Sequence, residues 1–330
     1  MLIKNIYLEN FRSYAKKTFE FYPGVTLVVG PNTAGKSNLL EAIFLLAFGK
    51  SPRADLDREM VREEEKLGFV RAIVSGSDDR DLEVVLTETG KRFRVNGVGK
   101  RLTDFSQHFH VVLFSPEDLN LVVGNPDLRR RFIDFALGSV DPRYARASTE
   151  FERVRKRRNR LLEQINLGHS DAGDLGYWDS KFLEYGVLLQ DRRKEFFDEI
   201  NGELRVQNLE LNYVPSGLTA ERLLEFRPRE IAAETSLIGP HRDDFSFQAT
   251  GNRRQVERRD LAAYGSRGEQ RRAVLMLKSA ELDYIKHRIE SRPVLLLDDI
   301  FSELDEENRA RVFDLIGEGQ TIITTTDINH

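Results

Sequence analysis

The sequence predicts an α/β fold interrupted by an inserted helical arm, and three observations predict it. Near the start, Gly30-Pro31-Asn32-Thr33-Ala34-Gly35-Lys36-Ser37 fits the phosphate-loop pattern G-x-x-x-x-G-K-[ST] and lies between a strand pattern and a helix pattern. Near the end, the apolar run Val294-Leu295-Leu296-Leu297 finishes on Asp298-Asp299, a buried-type strand closed by two carboxylates. Between them, two long stretches with apolar residues at helical spacing separate the halves of what reads as one sheet-based head. The expected organisation is residues 1–120 as the first half of the head, 121–235 as the helical arm, and 236–330 as the second half.

Short strands punctuated by turns open the chain: 2–8, then 25–29 after the Pro23-Gly24 turn, then 69–75, 81–87 and 93–95. A helix over 38–48 interrupts them, with Leu39, Ile43, Leu46 and Ala47 at helical spacing and Gly49 placed to end it. After the apolar run 111–114, Ser115-Pro116-Glu117-Asp118 supplies an N-cap residue, a proline for the first helical position and two acids suited to a helix dipole. A helix is expected to start there. Asn125-Pro126 repeats the device before 127–137. Tyr144, Ala147, Phe151, Val154, Leu161 and Ile165 keep one helical face; Trp178, Phe182, Tyr185, Leu189, Phe196 and Ile200 keep a second. The turn-rich stretch 168–176 joins them, which predicts an antiparallel hairpin of roughly 30–40 Å. A helix over 268–289, a strand over 294–297, a helix over 306–316 and a strand over 321–325 suggest a parallel sheet covered by helices.

Composition narrows the class. The 330 residues exceed the roughly 250–300 at which a single core stops growing, so a head with an appendage is expected. With 40% hydrophobic and 32% charged residues the chain reads as globular rather than disordered. No apolar run approaches the roughly 18–20 residues of a membrane helix, and no export signal precedes the first strand, so a cytoplasmic location without a membrane partner is expected. The absence of cysteine excludes disulfides and thiolate metal sites. The formal net charge of −4 gives no global positive field, so any nucleic-acid contact rests on local basic patches.

The phosphate loop carries the most specific chemistry. Its glycines let backbone N–H groups wrap phosphate oxygens at a helix N-terminus, Lys36 reaches the β and γ phosphates, and Ser37 offers a hydroxyl to Mg²⁺. A strand ending in Asp298 places a second Mg²⁺ oxygen beside that loop, and Asp299 next to it is positioned to orient or deprotonate the attacking water. Strands ending in two aspartates also occur without metals, so the phosphate loop is what gives this one its meaning. Tyr264-Gly265-Ser266-Arg267-Gly268-Glu269-Gln270-Arg271 precedes the long C-terminal helix and has the makings of another anion cradle, facing a nucleotide on a second subunit. Spacing alone fits an ordinary capped helix start equally well.

Taken together these segments resemble the ABC-type ATPase head, and more narrowly the bacterial RecF family of DNA replication and repair proteins. The stretches that carry the resemblance are Glu9-Asn10-Phe11-Arg12, Lys36-Ser37-Asn38-Leu39-Leu40-Glu41-Ala42-Ile43, Phe114-Ser115-Pro116-Glu117-Asp118-Leu119, and Gly124-Asn125-Pro126 through Arg129-Arg130-Arg131-Phe132-Ile133-Asp134. Gly239-Pro240-His241-Arg242-Asp243-Asp244, the 297–305 segment and Thr324-Thr325-Thr326-Asp327 extend it over almost the whole chain. The resemblance implies an ATP-dependent homodimer with two nucleotides between heads, slow hydrolysis used as a switch, and binding to double-stranded, gapped or junction DNA. It also implies partners of the RecO/RecR type that load a recombinase. It makes Ser266, Gly268 and Gln270 a signature acting in trans, Ser302 and Asp305 part of the D-loop, and Asp327 a residue near the γ-phosphate. Arg267 and Glu269 are unusual fillings of that signature, and Asn32-Thr33 departs from the usual small residue.

Arg129-Arg130-Arg131 and the run holding Arg155, Lys156, Arg157 and Arg158 are the DNA-contact candidates, with Arg253, Arg254, Arg258 and Arg259 as a third cluster. Contact to backbone and duplex shape is expected, because no recognition-helix or zinc pattern is present. The competing reading is a solvated helical face paired to Glu150, Glu152 and Glu163. His241 and Arg242 beside two aspartates invite a metal, but a lone histidine there reads as structural core. A transporter motor and a non-hydrolysing ATP-binding scaffold are the alternatives to a DNA-repair switch; the inserted arm and the Gly239–Asp244 motif oppose the transporter.

Overall fold

The computed structural model describes residues 1–250, 258–317 and 319–326. The chain begins with β1 (Leu2–Phe11), β2 (Tyr14–Glu20), β3 (Val25–Val29), α1 (Lys36–Phe48), β4 (Leu67–Ser75), β5 (Asp79–Thr87), β6 (Gly90–Val95), β7 (Val98–Lys100), α2 (Leu102–Phe105) and β8 (Val111–Phe114). Then come α3 (Asn120–Val123), α4 (Pro126–Val140), α5 (Pro142–Asn166), α6 (Gly176–Val206), β9 (Leu209–Val214), α7 (Ala220–Ala232), β10 (Asp244–Ala249), β11 (Arg259–Asp260) and α8 (Leu261–Tyr264). The last elements are α9 (Arg267–Ile289), β12 (Val294–Asp298), α10 (Glu306–Ile316) and β13 (Thr321–Thr325). Two compact units result: Met1–Asn120 with Arg271–His330, and Leu121–Gln270.

In the first unit a four-stranded sheet runs β3-β13-β12-β8, and each neighbouring pair is parallel. Every residue of β12 and β13 is buried, so neither alternates: β12 is an apolar run up to Asp298, and β13 is built of the β-branched residues Thr and Ile. Because the strands are parallel, the ends of β3, β12 and β8 meet at one edge of the sheet, where ligands of open α/β sheets bind. Helix α1 is buried on eleven of its thirteen residues, so it is a core helix rather than a surface one. Gly49 caps it in the left-handed conformation at φ 61°, the role its position predicted. A second, antiparallel sheet runs β2-β1-β4-β5-β6-β7. Strand β2 had no sequence signature: its Lys16-Lys17 centre is exposed, as suits an edge strand with no alternation to read.

In the second unit α5 and α6, of 25 and 31 residues, lie on either side of the turn-rich link, which contains a short 3-10 turn over Ala172–Leu175. Buried positions on α5 are Tyr144, Ala147, Phe151, Val154, Arg158 and Leu162. The stripe therefore passes through Arg158 and Leu162, and Leu161 and Ile165 are only half-buried. On α6, Trp178 and Tyr185 are likewise half-buried, while Asp179 and Gly186 take the inner positions. Strand β10 pairs antiparallel with β9, so residues 236–250 and 258–270 group with the arm rather than with the head's C-terminal half. After Ser115 the chain makes one 3-10 turn, Pro116–Leu119, closed by a capping box between Ser115 and Asp118. The capping chemistry is the expected one, but the long helix waits for the Asn125-Pro126 device.

Candidate nucleotide-binding site

The loop between β3 and α1 is shaped by one glycine above all. Gly35 sits at φ 92°, and a Cβ there would lie 2.9 Å from both Ser13 Oγ and Tyr14 Oη. No other residue fits that conformation and that space. Tyr14 Oη donates to the Gly35 carbonyl at 3.0 Å, tying β2 to the loop. The Lys36 side chain is buried and its Nζ donates to the carbonyls of Gly30 at 2.7 Å and Pro31 at 3.0 Å, so the ammonium lies across the loop. Asn32, Thr33 and Ala34 complete the bend, Thr33 at φ 74°. The first turn of α1 carries no acid, which leaves its positive end open to an anion.

Ser37 and Asp298, 261 positions apart, meet in the fold: Ser37 Oγ donates to Asp298 Oδ1 at 2.9 Å. Thr324 Oγ1 donates to the same oxygen at 2.7 Å. Thr324, on β13 between β3 and β12, also accepts the Asp299 N–H at its carbonyl at 3.1 Å. One threonine thus holds both aspartates in register, and Asp299 itself adopts φ 48° at the strand end. The donor set is all oxygen. That suits a small hard cation such as Mg²⁺, which takes one or two protein oxygens and completes its shell with water and phosphate. Among the described residues no group of three or more His, Cys, Asp and Glu could hold a metal alone. Asp305 accepts the Asn308 N–H at 2.9 Å as the N-cap of α10. Only the backbone of Ser302 is described, in the 3-10 turn Ile300–Glu303, and Asp327 lies outside the described residues.

Behind the loop is a cluster that motif reading did not find. Glu41, buried in the middle of α1, accepts from Arg12 Nη2 at 2.6 Å and Nε at 2.9 Å, and from Ser51 Oγ at 2.5 Å. Arg53 Nη2 reaches Glu41 Oε2 at 3.3 Å and the Ser37 carbonyl at 2.6 Å, so Arg53 links this buried charge to the first turn of α1. The available signal was a lone acid inside an apolar helix, since such a charge must be paired. A second buried group follows β8. Lys278 Nζ lies 2.7 Å from Glu281 and 3.9 Å from Asp118, whose other oxygen accepts the Ser115 N–H at 2.7 Å. Burial raises the pKa of both carboxyls; at Lys278 burial opposes the charge, but the two acids outweigh it and the pKa rises.

In the second unit, Ser266 and Glu269 form a reciprocal capping box at the start of α9. The Ser266 N–H donates to Glu269 Oε2 at 2.8 Å and the Glu269 N–H to Ser266 Oγ at 3.3 Å. This gives the unusual Glu269 a role, and the hydrogen bond from the Ser266 backbone is the main cause of its lowered pKa. Gln270 Nε2 donates to the Leu261 carbonyl at 2.9 Å, pinning the preceding turn. A Cβ on Gly268 would meet nothing within 4 Å, so its backbone is open to an incoming group. Ser266 is exposed.

A family model described as the RecF/RecN/SMC N terminal domain matches residues 2–329. The DNA replication and repair protein RecF of Staphylococcus aureus strain JH9 is 35% identical over 355 residues, covering 100% of this chain and 94% of the relative. The chain belongs to the RecF family. Two solved structures agree in fold. One, described as the recombination mediator protein RecF-ATPrS in the RecFOR pathway, superposes with a TM-score of 0.88 at 31% identity, covering 99% of this chain and 92% of that one. The other, described as RecF-ATP in the same pathway, gives 0.87 at 30%, covering 98% and 92%. The fold is that of an ABC-type ATPase head carrying an inserted helical arm.

Within this RecF-family arm the predicted DNA contacts divide. Arg129 is buried and forms a bidentate pair with Asp244, Nε to Oδ1 at 2.6 Å and Nη2 to Oδ2 at 2.9 Å, while Nη1 caps the Leu121 and Gly124 carbonyls. Arg158 has no exposed surface; it donates to Asp179 at 2.8 Å, Ser236 at 2.9 Å and Glu230 at 2.6 Å and lies over the Phe182 ring. Neither can reach DNA, and both are corrected to structural roles. The reason is helical phase: Arg158 stands four residues after Val154 and four before Leu162, on the inward stripe. Arg131, Lys156 and Arg157 are exposed, and Arg130 and Arg155 half-buried, tied to Asp127 and Glu152. Arg253 and Arg254 lie outside the described residues. The 239–244 motif is the arm's internal anchor. Asp243 accepts from Arg193, Tyr213, Gln190 and the Ser216 N–H, and His241 Nε2 donates to the Ser236 carbonyl at 2.9 Å.

Proposed function

We propose that this protein is an ATP-driven switch in DNA repair: ATP joins two copies on gapped or junction DNA, and slow hydrolysis releases them. The observation that carries this reading is the meeting of Ser37 and Asp298 beside the Lys36 loop, at the strand ends of a parallel sheet. ATP is the nucleotide that fits, since its relatives are described with ATP or an ATP analogue. Mg²⁺ held by Ser37 and Asp298 would neutralise charge on the phosphates. Lys36 holds the β and γ phosphates, and Asp299, with its backbone fixed by Thr324, orients the attacking water. Asp327 is assigned a place near the γ-phosphate. Ser266 and the open backbone at Gly268 meet the nucleotide of the second copy, and Gln270 keeps that turn in shape.

Exposed basic residues of the arm, Arg131, Lys156 and Arg157, with Arg155 at the margin, contact DNA phosphates without reading bases. The RecFOR pathway named for the relatives supports partners of the RecO/RecR type, with which the protein would promote recombinase loading. The test is mass by light scattering with and without ATP and Mg²⁺, each with and without gapped duplex. Conversion of monomer to dimer by ATP, with DNA retained only by the dimer, is expected. A mass and a DNA affinity indifferent to ATP would overturn the switch.

A further inference from the structure

The Gly-Pro-His-Arg-Asp-Asp motif does more than anchor the arm: its outer side closes a cleft of about 880 Å³ within the second unit. Helices α4, α5 and α6 form the other walls. Arg130, Arg131, Arg155, Arg193 and Arg242 line this cleft against four carboxylates, those of Asp127, Asp134, Glu152 and Asp244. Each carboxylate is already engaged: Asp127 with Arg130, Asp134 with Arg193, Glu152 with Arg155, and Asp244 with Arg129, which does not line the cleft.

These pairs hold guanidiniums in place around the cleft. Arg193 is almost fully buried and fixed by four acceptors, among them the Pro240 carbonyl at 2.6 Å and Asp243 at 2.9 Å. Arg130 is fixed by the Asp243 carbonyl at 2.8 Å. Arg242, in contrast, is exposed at the mouth, and among the described residues no carboxylate pairs with it. A fixed array of guanidiniums with one left uncompensated matches a phosphate, whose several oxygens accept from more than one planar fork.

We propose that this cleft seats a phosphate group of a DNA strand, with Arg242 as the contacting cation and Arg130 and Arg155 held ready around it. The inference rests on the reading that the protein binds DNA. One further feature favours a nucleic acid over an acidic peptide. On α5, one step around from the lining residues Ser148, Glu152 and Arg155, the exposed Arg153, Lys156 and Arg160 recur at helical spacing. They make a basic ribbon about 10 Å long beside the mouth, along which the strand can continue. The phosphate is either the terminal group at a gap edge or one of the backbone, and the experiment separates these sources.

Affinity is measured by fluorescence anisotropy with ATP and Mg²⁺ on gapped duplex bearing a 5′-phosphate or a 5′-hydroxyl at the gap edge, over a range of salt. Arg242→Ala is expected to weaken binding about tenfold and Arg242→Glu further, each lowering the slope of log affinity against log salt by about one. A loss confined to the phosphorylated edge identifies the terminal group; an equal loss on both identifies the backbone. Unchanged affinity and slope in Arg242→Glu overturns the inference while leaving the DNA-binding reading intact. So does a variant that keeps DNA but loses poly-glutamate, which makes the cleft a protein-docking site. If the wild type holds no DNA, the switch reading fails instead, and the cleft is judged by the His241 ring resonances: a 5′-phosphorylated trinucleotide must move them in wild type and not in Arg242→Glu.

Discussion

The two units treat charge in opposite ways. In the head, Lys36, Ser37, Asp298 and Asp299 are brought to the edge of a parallel sheet, so their chemistry is turned outward even though the elements bearing them are buried. In the arm, the most fully committed ionic groups are turned inward: Arg158 with Asp179 and Glu230, and Arg193 with Asp134 and Asp243. A charge that serves a ligand leaves part of its capacity unused, whereas one that serves the fold has all of it consumed. Arg12, Arg53 and Glu41 show that the head also uses the second kind, directly behind its loop.

This contrast is sharpest in stability. Arg158→Ala leaves the buried Glu230 without its cation and Asp179 with Arg227 alone, and is expected to cost about 3–5 kcal/mol by urea denaturation. Normal stability together with lost DNA affinity would break the comparison by making Arg158 a surface contact after all. Lys36→Ala is the counterpart: nucleotide affinity should fall about tenfold to a hundredfold, from the roughly 1.5–3 kcal/mol of a charged hydrogen bond, while the unfolding midpoint moves little. Equal affinity in variant and wild type removes the phosphate-loop assignment.

Protonation probes both units at once. Burial lowers the pKa of His110 in the head and His241 in the arm to about 4. The unfolded chain binds a proton at each near 6.5, so this stability is fully present above about 6.5 and is lost as pH falls toward 4. Between pH 7 and pH 5 the loss is about 2 kcal/mol per histidine, read as a falling urea midpoint. His241→Asn should flatten the arm's share of that slope; an unchanged slope assigns the loss elsewhere. A smaller loss of stability than at Arg158 is expected for Ser266→Ala, about 1 kcal/mol from its cap. Nucleotide binding should persist and ATP-dependent dimerisation disappear, both visible by equilibrium dialysis and light scattering.

The head was legible because its chemistry obeys local rules. A phosphate loop needs glycine at one φ, lysine and serine at fixed spacing, and a following helix, so Gly35, Lys36 and Ser37 announced themselves. Val294–Asp298 announced a buried parallel strand by its unbroken apolar run. Glu41 gave a weaker signal, since a lone acid in an apolar helix asks for a partner without naming Arg12 or Arg53. Strand β2 gave none, because an exposed edge places no demand on hydropathy. On the arm, composition grouped Arg155 to Arg158 as one basic run, although a step of about 100° per residue turns Arg158 inward and Lys156 and Arg157 out.

What the sequence by itself determined was everything that follows from neighbours along the chain: the loop, the caps at Ser115, Asn125 and Gly49, the hairpin's two faces, and the parallel strands. Tertiary structure decided what depends on residues distant along the chain, from 26 to 261 positions apart. It put Ser37 against Asp298, gave Thr324 both aspartates to hold, sent β10 to the arm, and chose which arginines spend their hydrogen bonds inside. The physical reason is range. Backbone conformation and hydropathy period act over a few residues, whereas the cost of burying a charge is settled only by the partner the fold brings to it.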